Sequence, residues 1–261
     1  MFDYHMHSTV SEDGRSSSAE MASQAAHIGL KEICFTDHID YIPNPDIADW
    51  TFETADFNVA YDHLDFGELK IRKGIEFGLL PDNRDGLSAE LQRRPFDFVI
   101  GSIHFAQNVD VYDAVFWDGR TASQTEEIFL KETLNCIRIH DDFDVLGHLT
   151  VLGKVRYTPN NRPMSYSDHG DILDEIFRVL IQKGKGLEVN TSGLTRCGAF
   201  LPTADYLHRF KALGGEIVTV GSDAHSYHRV GQGCFDACTM VGHIFGHVCT
   251  FADRKPIFHK L

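Results

Sequence analysis

Two imidazoles one residue apart close an apolar run at the head of the chain, in Phe2-Asp3-Tyr4-His5-Met6-His7. Residues i and i+2 of a strand face the same way, so His5 and His7 point together, and neutral imidazole is the commonest protein metal ligand. The arrangement recurs. Thr36-Asp37-His38, Gly74-Ile75-Glu76, Gly101-Ser102-Ile103-His104, Gly147-His148 and Gly221-Ser222-Asp223-Ala224-His225 each set His, Asp or Glu where a strand-like apolar run meets a small residue. Taken singly, any of these histidines reads as a packed or solvated side chain. His27, His63, His140, His169, His208, His228, His243, His247 and His259 do fit that description, out of 15 histidines in all. Six such junctions in succession instead predict one shared metal centre, and the chemistry of such a centre is hydrolysis. Bound cations bring the pKa of water from about 15.7 to roughly 7 and so provide a nucleophile at neutral pH.

Ligands spread over a whole chain must be gathered by the elements between them. Seven strand-like runs follow in order: Phe2–His7, Glu32–His38, Lys70–Leu79, Phe96–Phe105, Asp144–Leu149, Gly186–Ser192 and Glu216–Ser222. Amphipathic helical stretches separate most of them. Ser18–Ile28 starts on Ser and stops before Gly29, and Ser123–His140 carries Ile128, Phe129, Leu134 and Ile137 at helical spacing. Asp168–Gln182 closes on Lys183-Gly184 and Ala204–Leu213 on Gly214-Gly215. These are the starts and stops of capped helices. Alternating strands and helices predict a parallel sheet with right-handed crossovers. Ligands at the carboxyl ends of nearly all strands meet at one point only if the sheet closes. A distorted TIM-like (β/α)7 barrel is therefore predicted ahead of an open doubly wound sheet.

Nothing resembling a linker interrupts the pattern, so one domain over residues 1–261 is expected. Two connections are long. Ile39–Phe57 holds Tyr41, Trp50 and Phe52, and Ala106–Ala122 holds Tyr112, Phe116 and Trp117. Both would follow strands on the ligand-bearing face, as lids or substrate walls.

Composition narrows the function further. A net charge of −14 argues against a nucleic-acid partner. No apolar run reaches the ~18 residues of a membrane span, and the first strand begins so early that no signal peptide is expected. The six cysteines (Cys34, Cys136, Cys197, Cys234, Cys238, Cys249) form no Cys-x-x-Cys pair, and the i,i+4 spacing of Cys234 and Cys238 suits one face of a helix. A reduced, cytoplasmic protein is the expectation.

Asp3-Tyr4-His5-Met6-His7, Ser11-Glu12-Asp13-Gly14, Thr36-Asp37-His38, Gly101-Ser102-Ile103-His104 and Gly221-Ser222-Asp223-Ala224-His225 together resemble the polymerase-and-histidinol-phosphatase (PHP) family. They do so in the family's order, over essentially the whole chain, and most closely in its histidinol-phosphatase branch. The resemblance implies a distorted (β/α)7 barrel with two to three divalent ions, in agreement with the seven strand-like runs. It implies His5, His7, Glu76 and Asp223 around a first metal. Glu76 would bridge to a second held by His104 and His148, and Asp13, His38 and His225 would hold a third. These oxygen and nitrogen donors, with no thiolate, suit Mn, Fe or Zn. Asp13 stands where some members have His, and its hard oxygen would favour Mn or Fe. Asp37, Asp40 and Ser222 are expected to orient ligands or to cap.

The implied reaction is hydrolysis of L-histidinol phosphate, in histidine biosynthesis, by a hydroxide bridging two cations ~3.5–4 Å apart. Glu76, Asp223 and His225 would be its catalytic residues, with Asp223 or an adjacent metal-bound water as the acid. Asn190-Thr191-Ser192-Gly193-Leu194-Thr195-Arg196 resembles the branch's Asn-Thr-Ser-Gly segment with its downstream Arg, which makes Asn190 and Arg196 substrate-binding candidates. Arg156 resembles a second phosphate-binding arginine, with Lys154 competing for the place. A guanidinium forks onto phosphate oxygens as an ammonium cannot. The net charge does not exclude an anionic substrate, because divalent ions would dominate the local field. Two other readings stand beside this one: a PHP phosphoesterase for another small phosphorylated metabolite, and a non-catalytic scaffold domain like those attached to polymerases. The second is disfavoured because every ligand position is filled.

Overall fold

The apolar runs of the sequence become the parallel strands of a barrel. The computed structural model describes residues 1–261. In order, it contains β1 (Phe2–Asp3), α1 (Ser18–His27), β2 (Glu32–Ile39), α2 (Thr54–Tyr61), β3 (Lys70–Gly78), α3 (Arg84–Arg93) and β4 (Phe98–Ser102). A small hairpin of β5 (Phe105–Ala106) and β6 (Val109–Asp110) follows, then α4 (Ala114–Trp117), α5 (Ala122–Ile139), β7 (Val145–Leu146) and α6 (Gly170–Gln182). The chain ends with β8 (Gly186–Asn190), α7 (Ala204–Ala212), β9 (Val218–Gly221), α8 (Cys234–Phe245), β10 (His247–Ala252) and β11 (Lys255–Lys260).

Seven strands, in the order β1-β2-β3-β4-β7-β8-β9, make one sheet. Every neighbouring pair in it is parallel. The first and last strands meet beyond the regular ladder. Tyr4 N–H donates to Val220 O at 2.9 Å, Asp223 N–H to His5 O at 2.8 Å and His7 N–H to Ala224 O at 2.8 Å. The barrel is thus nearly closed, as the distribution of ligands over its strands predicted. At its amino-terminal end the β10–β11 hairpin forms a floor, with Tyr4 Oη donating to Phe251 O at 3.0 Å and the Phe98 and Phe251 rings 4.8 Å apart. That hairpin was not foreseen. No helix is long and apolar enough to cross a membrane.

Helix ends follow local chemistry closely. Ser17 and Glu20 form a capping box at the start of α1, and Thr121 and Gln124 do so at α5. Gly29, with φ +77, takes the left-handed position just after α1. Helix α6 begins two residues later than its pattern suggests, because Tyr166–Asp168 is drawn into a 3-10 turn. Cys234 and Cys238 do share the buried face of a helix. The strand-like runs, in contrast, overshoot the strands. β1 and β7 keep only two residues each.

The connection after β2 is tied down at both ends. Asp40 and Trp50 exchange backbone hydrogen bonds at 2.8 and 2.9 Å. Below them Arg94, buried, donates to Glu90 at 2.7 Å and to Phe52 O at 3.3 Å, with its guanidinium 4.7 Å from the Phe52 ring. Glu90 also accepts from Tyr41 Oη at 3.5 Å. Removing one partner of a buried ion pair strands the other charge, so Arg94→Met should destabilise the protein by about 3 kcal/mol in urea titrations. A loss below ~1 kcal/mol would mean that the exposed Arg93, 2.9 Å from Glu90, suffices as its counter-charge.

Candidate metal centre

Strand register places the first ligands. His38 on β2 lies opposite Glu76 on β3 in the ladder, and His5 and His7 follow β1 on the same inward side. Glu76, buried, divides the imidazoles between its two oxygens. Oε2 lies 3.2 Å from His5 Nε2, 3.5 Å from His7 Nε2 and 3.2 Å from His38 Nδ1. Oε1 lies 2.7 Å from His148 Nε2 and 3.3 Å from His104 Nε2, and accepts a hydrogen bond from Ser102 Oγ at 2.6 Å. Asp223 Oδ1 completes the first group, 3.4 Å from His7 Nε2 and 3.7 Å from His5 Nε2. Asp223 is held in the left-handed region, at φ +56, a strained conformation of the kind found at functional sites.

The last group lies at the opening. Asp13 Oδ2 is 2.8 Å from His225 Nε2 and 3.7 Å from His38 Nε2. The His7 ring is stacked between His38 and His225, at 4.3 and 4.2 Å. All nine residues expected as ligands therefore converge on one cluster at the carboxyl ends of the strands.

The donor set fits divalent metal ions. His5 Nε2 and His7 Nε2 are 3.0 Å apart and both face carboxylate oxygens, an arrangement that a shared cation would suit. Asp13 Oδ1 is buried with no hydrogen-bond partner, and such an orphan is rare unless an ion or water serves it. Four groups of three or more His, Asp and Glu side chains have ligand atoms within 4.8 Å of one another, namely His7/Asp13/His38/His225, His5/His7/Glu76, His38/Asp40/His104 and Glu76/His104/His148.

Protonation tells the same story. Burial opposes charge on His5, but Glu188, Glu76 and Asp223 outweigh it and raise its pKa well above the ordinary value. Burial likewise opposes charge on His104, where Asp40 and Glu76 prevail. His7, buried among His225 and His38, is pushed well below the ordinary value. Burial resists ionisation of Glu76, yet His5, His38 and His104 hold its carboxyl well below the usual range. Burial also works against Asp13, but the hydrogen bond from His225 brings it down to about 2. Glu76 and Asp13 therefore stay ionised among the imidazoles.

Several residues orient the ligands. Asp40 accepts from His104 Nδ1 at 2.7 Å and lies 3.1 Å from His38 Nδ1. Ser11 Oγ accepts from His38 N–H at 2.8 Å and donates to Asp37 at 3.1 Å. Ser222 N–H donates to Asp3 at 2.8 Å.

The expected phosphate contacts are arranged differently. Asn190 is fully buried, and its Oδ1 accepts from Ser192 N–H at 3.0 Å and Ser192 Oγ at 2.6 Å. Arg196 is exposed, without a side-chain partner, on the turn after Ser192. Arg156 is also exposed, with its guanidinium 4.6 Å from the Tyr157 ring. Lys154 instead reaches the cluster, donating to Asp223 Oδ2 at 2.6 Å and to Ser192 Oγ at 2.8 Å. Burial works against its charge, but Asp223, Tyr112 and Glu76 raise its pKa above the ordinary lysine value. Asp223, buried beside Lys154 and His5, is held well below the usual carboxylate range. Asp223 thus lies ionised against the Lys154 ammonium, which donates to it.

Glu188, buried against His5, was not singled out from the sequence. The only signal was the alternation Leu187-Glu188-Val189-Asn190, which sends Glu188 and Asn190 to one face.

Comparison with known proteins gives this cluster a family. The PHP domain family model matches residues 3–192. The chain belongs to the PHP domain family. A histidinol-phosphatase of Lactococcus lactis is 29% identical over 260 residues, covering 97% of this chain and 95% of that protein. A Clostridium acetobutylicum protein named "Probable histidinol-phosphatase" is 26% identical over 266 residues, covering 100% of this chain and 97% of its own. The crystal structure of the L. lactis histidinol phosphate phosphatase, complexed with zinc, L-histidinol and phosphate, superposes with a TM-score of 0.85. It is 26% identical and covers 98% of both chains.

Proposed function

We propose that this protein is a divalent-metal-dependent phosphomonoesterase that hydrolyses L-histidinol phosphate to L-histidinol and phosphate, working as one PHP-type domain over residues 1–261. One observation carries the reading: the complete ligand cluster lies at the mouth of a barrel that aligns end to end with a phosphatase holding zinc, L-histidinol and phosphate. His5, His7, Glu76 and Asp223 hold the first ion, Glu76, His104 and His148 the second, and Asp13, His38 and His225 the third. Zinc, manganese and iron all suit these donors. When bound, such ions supply a water-derived nucleophile at neutral pH and neutralise phosphoryl oxygens.

The protein's own groups do the rest. Glu76 fixes the spacing of the two groups it separates. Asn190 holds the Ser192 turn against Lys154, so the ammonium stays aimed at Asp223. Lys154 then opposes the phosphate charge and is placed to protonate the departing alkoxide. Arg156 and Arg196, on the turns that carry Lys154 and Ser192, add guanidinium contacts to the phosphate.

Phosphate release tests the reading. The metal-stripped protein is reloaded with zinc, manganese or iron(II) and assayed on L-histidinol phosphate, phosphoserine and glycerol phosphate. The kcat/KM for L-histidinol phosphate should exceed the others by at least ~100-fold, the discrimination that specific contacts to an organic group support. Stripping the metal should abolish all three activities. Equal rates across the panel would overturn the substrate and leave a general PHP phosphoesterase. Activity without metal would overturn the mechanism.

A further inference from the structure

Glu188 on β8 ties two of the three ligand groups together without belonging to any of them. Its side chain is 1% exposed. Oε1 accepts the Nδ1–H of His5 at 2.6 Å, and Oε2 accepts the backbone N–H of His148 at 2.7 Å. Asn190 Nδ2 donates to Oε2 at 3.3 Å. One carboxylate therefore joins the ends of β1, β7 and β8 beneath the metal cluster. Two glycines keep this space open. A Cβ on Gly221 would lie 2.6 Å from Glu188 Oε1 and 2.2 Å from His5 Cβ. A Cβ on Gly147 would lie 2.3 Å from Ser102 Oγ, the hydroxyl bound to Glu76, and 3.6 Å from Glu188 Oε2.

We propose that Glu188 is a positioning residue of the metal centre, which fixes the His5 tautomer and sets the separation between the His5-bearing and His148-bearing ligand groups. A neutral imidazole carries its proton on one nitrogen only. Glu188 claims the proton at Nδ1, so the Nε2 lone pair faces Glu76 and Asp223, where the cation binds. The negative charge behind the ring makes His5 a stronger donor. Because the second oxygen holds the backbone of His148, a shift of either ligand is resisted by the other. The inference rests on the metal-dependent reading above but not on the identity of the substrate.

Glu188→Gln is the informative variant. An amide can accept from His5 or from His148 N–H, but its NH2 must then face the other donor, so one contact is always lost. Zinc titration of the metal-free protein against a chromophoric chelator should show one class of site weakened roughly 10- to 100-fold. Ring 15N NMR of the metal-free protein, recorded at a pH high enough for His5 to be neutral, should show the Nδ1–H tautomer giving way to a mixture. A variant with reduced thermal stability but wild-type zinc affinity and an unchanged His5 tautomer would make Glu188 structural only and overturn the proposal. Should the Gln variant not fold, Glu188→Asp takes its place, since it keeps the charge but cannot span both partners. Weakened zinc binding and a mixed His5 tautomer in the Asp variant would support the proposal, and wild-type behaviour in both would overturn it. Neither readout involves a phosphate ester, so a failure of the substrate assignment leaves this test untouched.

Discussion

Glu76→Gln is expected to lower kcat at least ~10³-fold, about 4 kcal/mol of transition-state stabilisation, and to reduce metal content in two groups at once. The reasoning is electrostatic. Glu76 places one oxygen toward His5, His7 and His38 and the other toward His104 and His148. In the proposed ligand assignment it is the negative charge between two cation positions. Glutamine keeps the shape but removes that charge, so two neighbouring cations repel each other without relief in a medium where Coulomb forces are strong. The amide NH2 would also face imidazole nitrogens that must stay free as ligands. Metal analysis and steady-state kinetics on the same sample check this. Full metal content with wild-type kcat would make Glu76 an ordinary buried carboxylate. Partial loss at one position alone would show that it serves one ion and does not bridge.

The ligands were legible because each occupies the same kind of place, the end of an apolar strand, and strand geometry sends such residues toward a common axis. Seven runs in alternation with helices were enough to imply closure, and His38 opposite Glu76 is what an in-register pair of parallel strands gives. What the sequence hid depends on contacts between distant segments. Glu188 reads as an ordinary strand glutamate until the barrel brings it to His5, 183 residues away. Lys154 and Arg156 are candidates two residues apart, and Lys154 ends the 3-10 turn Val151–Lys154 that distinguishes them. It turns Lys154 toward Ser192 and Asp223 while Arg156 lies outward on Tyr157. The β10–β11 hairpin carries no ligand and no strong turn signature, so its role as barrel floor emerges only from its packing beneath Tyr4 and Phe98.

Lys154→Met is expected to reduce kcat/KM by up to roughly 150-fold, because a charge-assisted hydrogen bond to a buried group is worth up to about 3 kcal/mol and Lys154 makes one to Asp223 beside a second contact to Ser192. Arg196→Ala should cost roughly 10- to 150-fold, the range of a single guanidinium–phosphate contact, and Arg196→Lys should recover only part of it, since an ammonium keeps the charge but loses the fork. The two substitutions differ in what they do to the metals. Lys154 touches an expected ligand, so its loss should change metal affinity as well as turnover. Arg196 touches none of the ligands, so its loss should leave metal content unchanged and act through substrate alone. Unaltered kinetics in Arg196→Ala would make that residue a solvated surface charge and assign the phosphate clamp to Lys154. Wild-type kinetics in Lys154→Met would show that the buried ammonium only compensates Asp223, and that the proton for the leaving alkoxide comes from elsewhere.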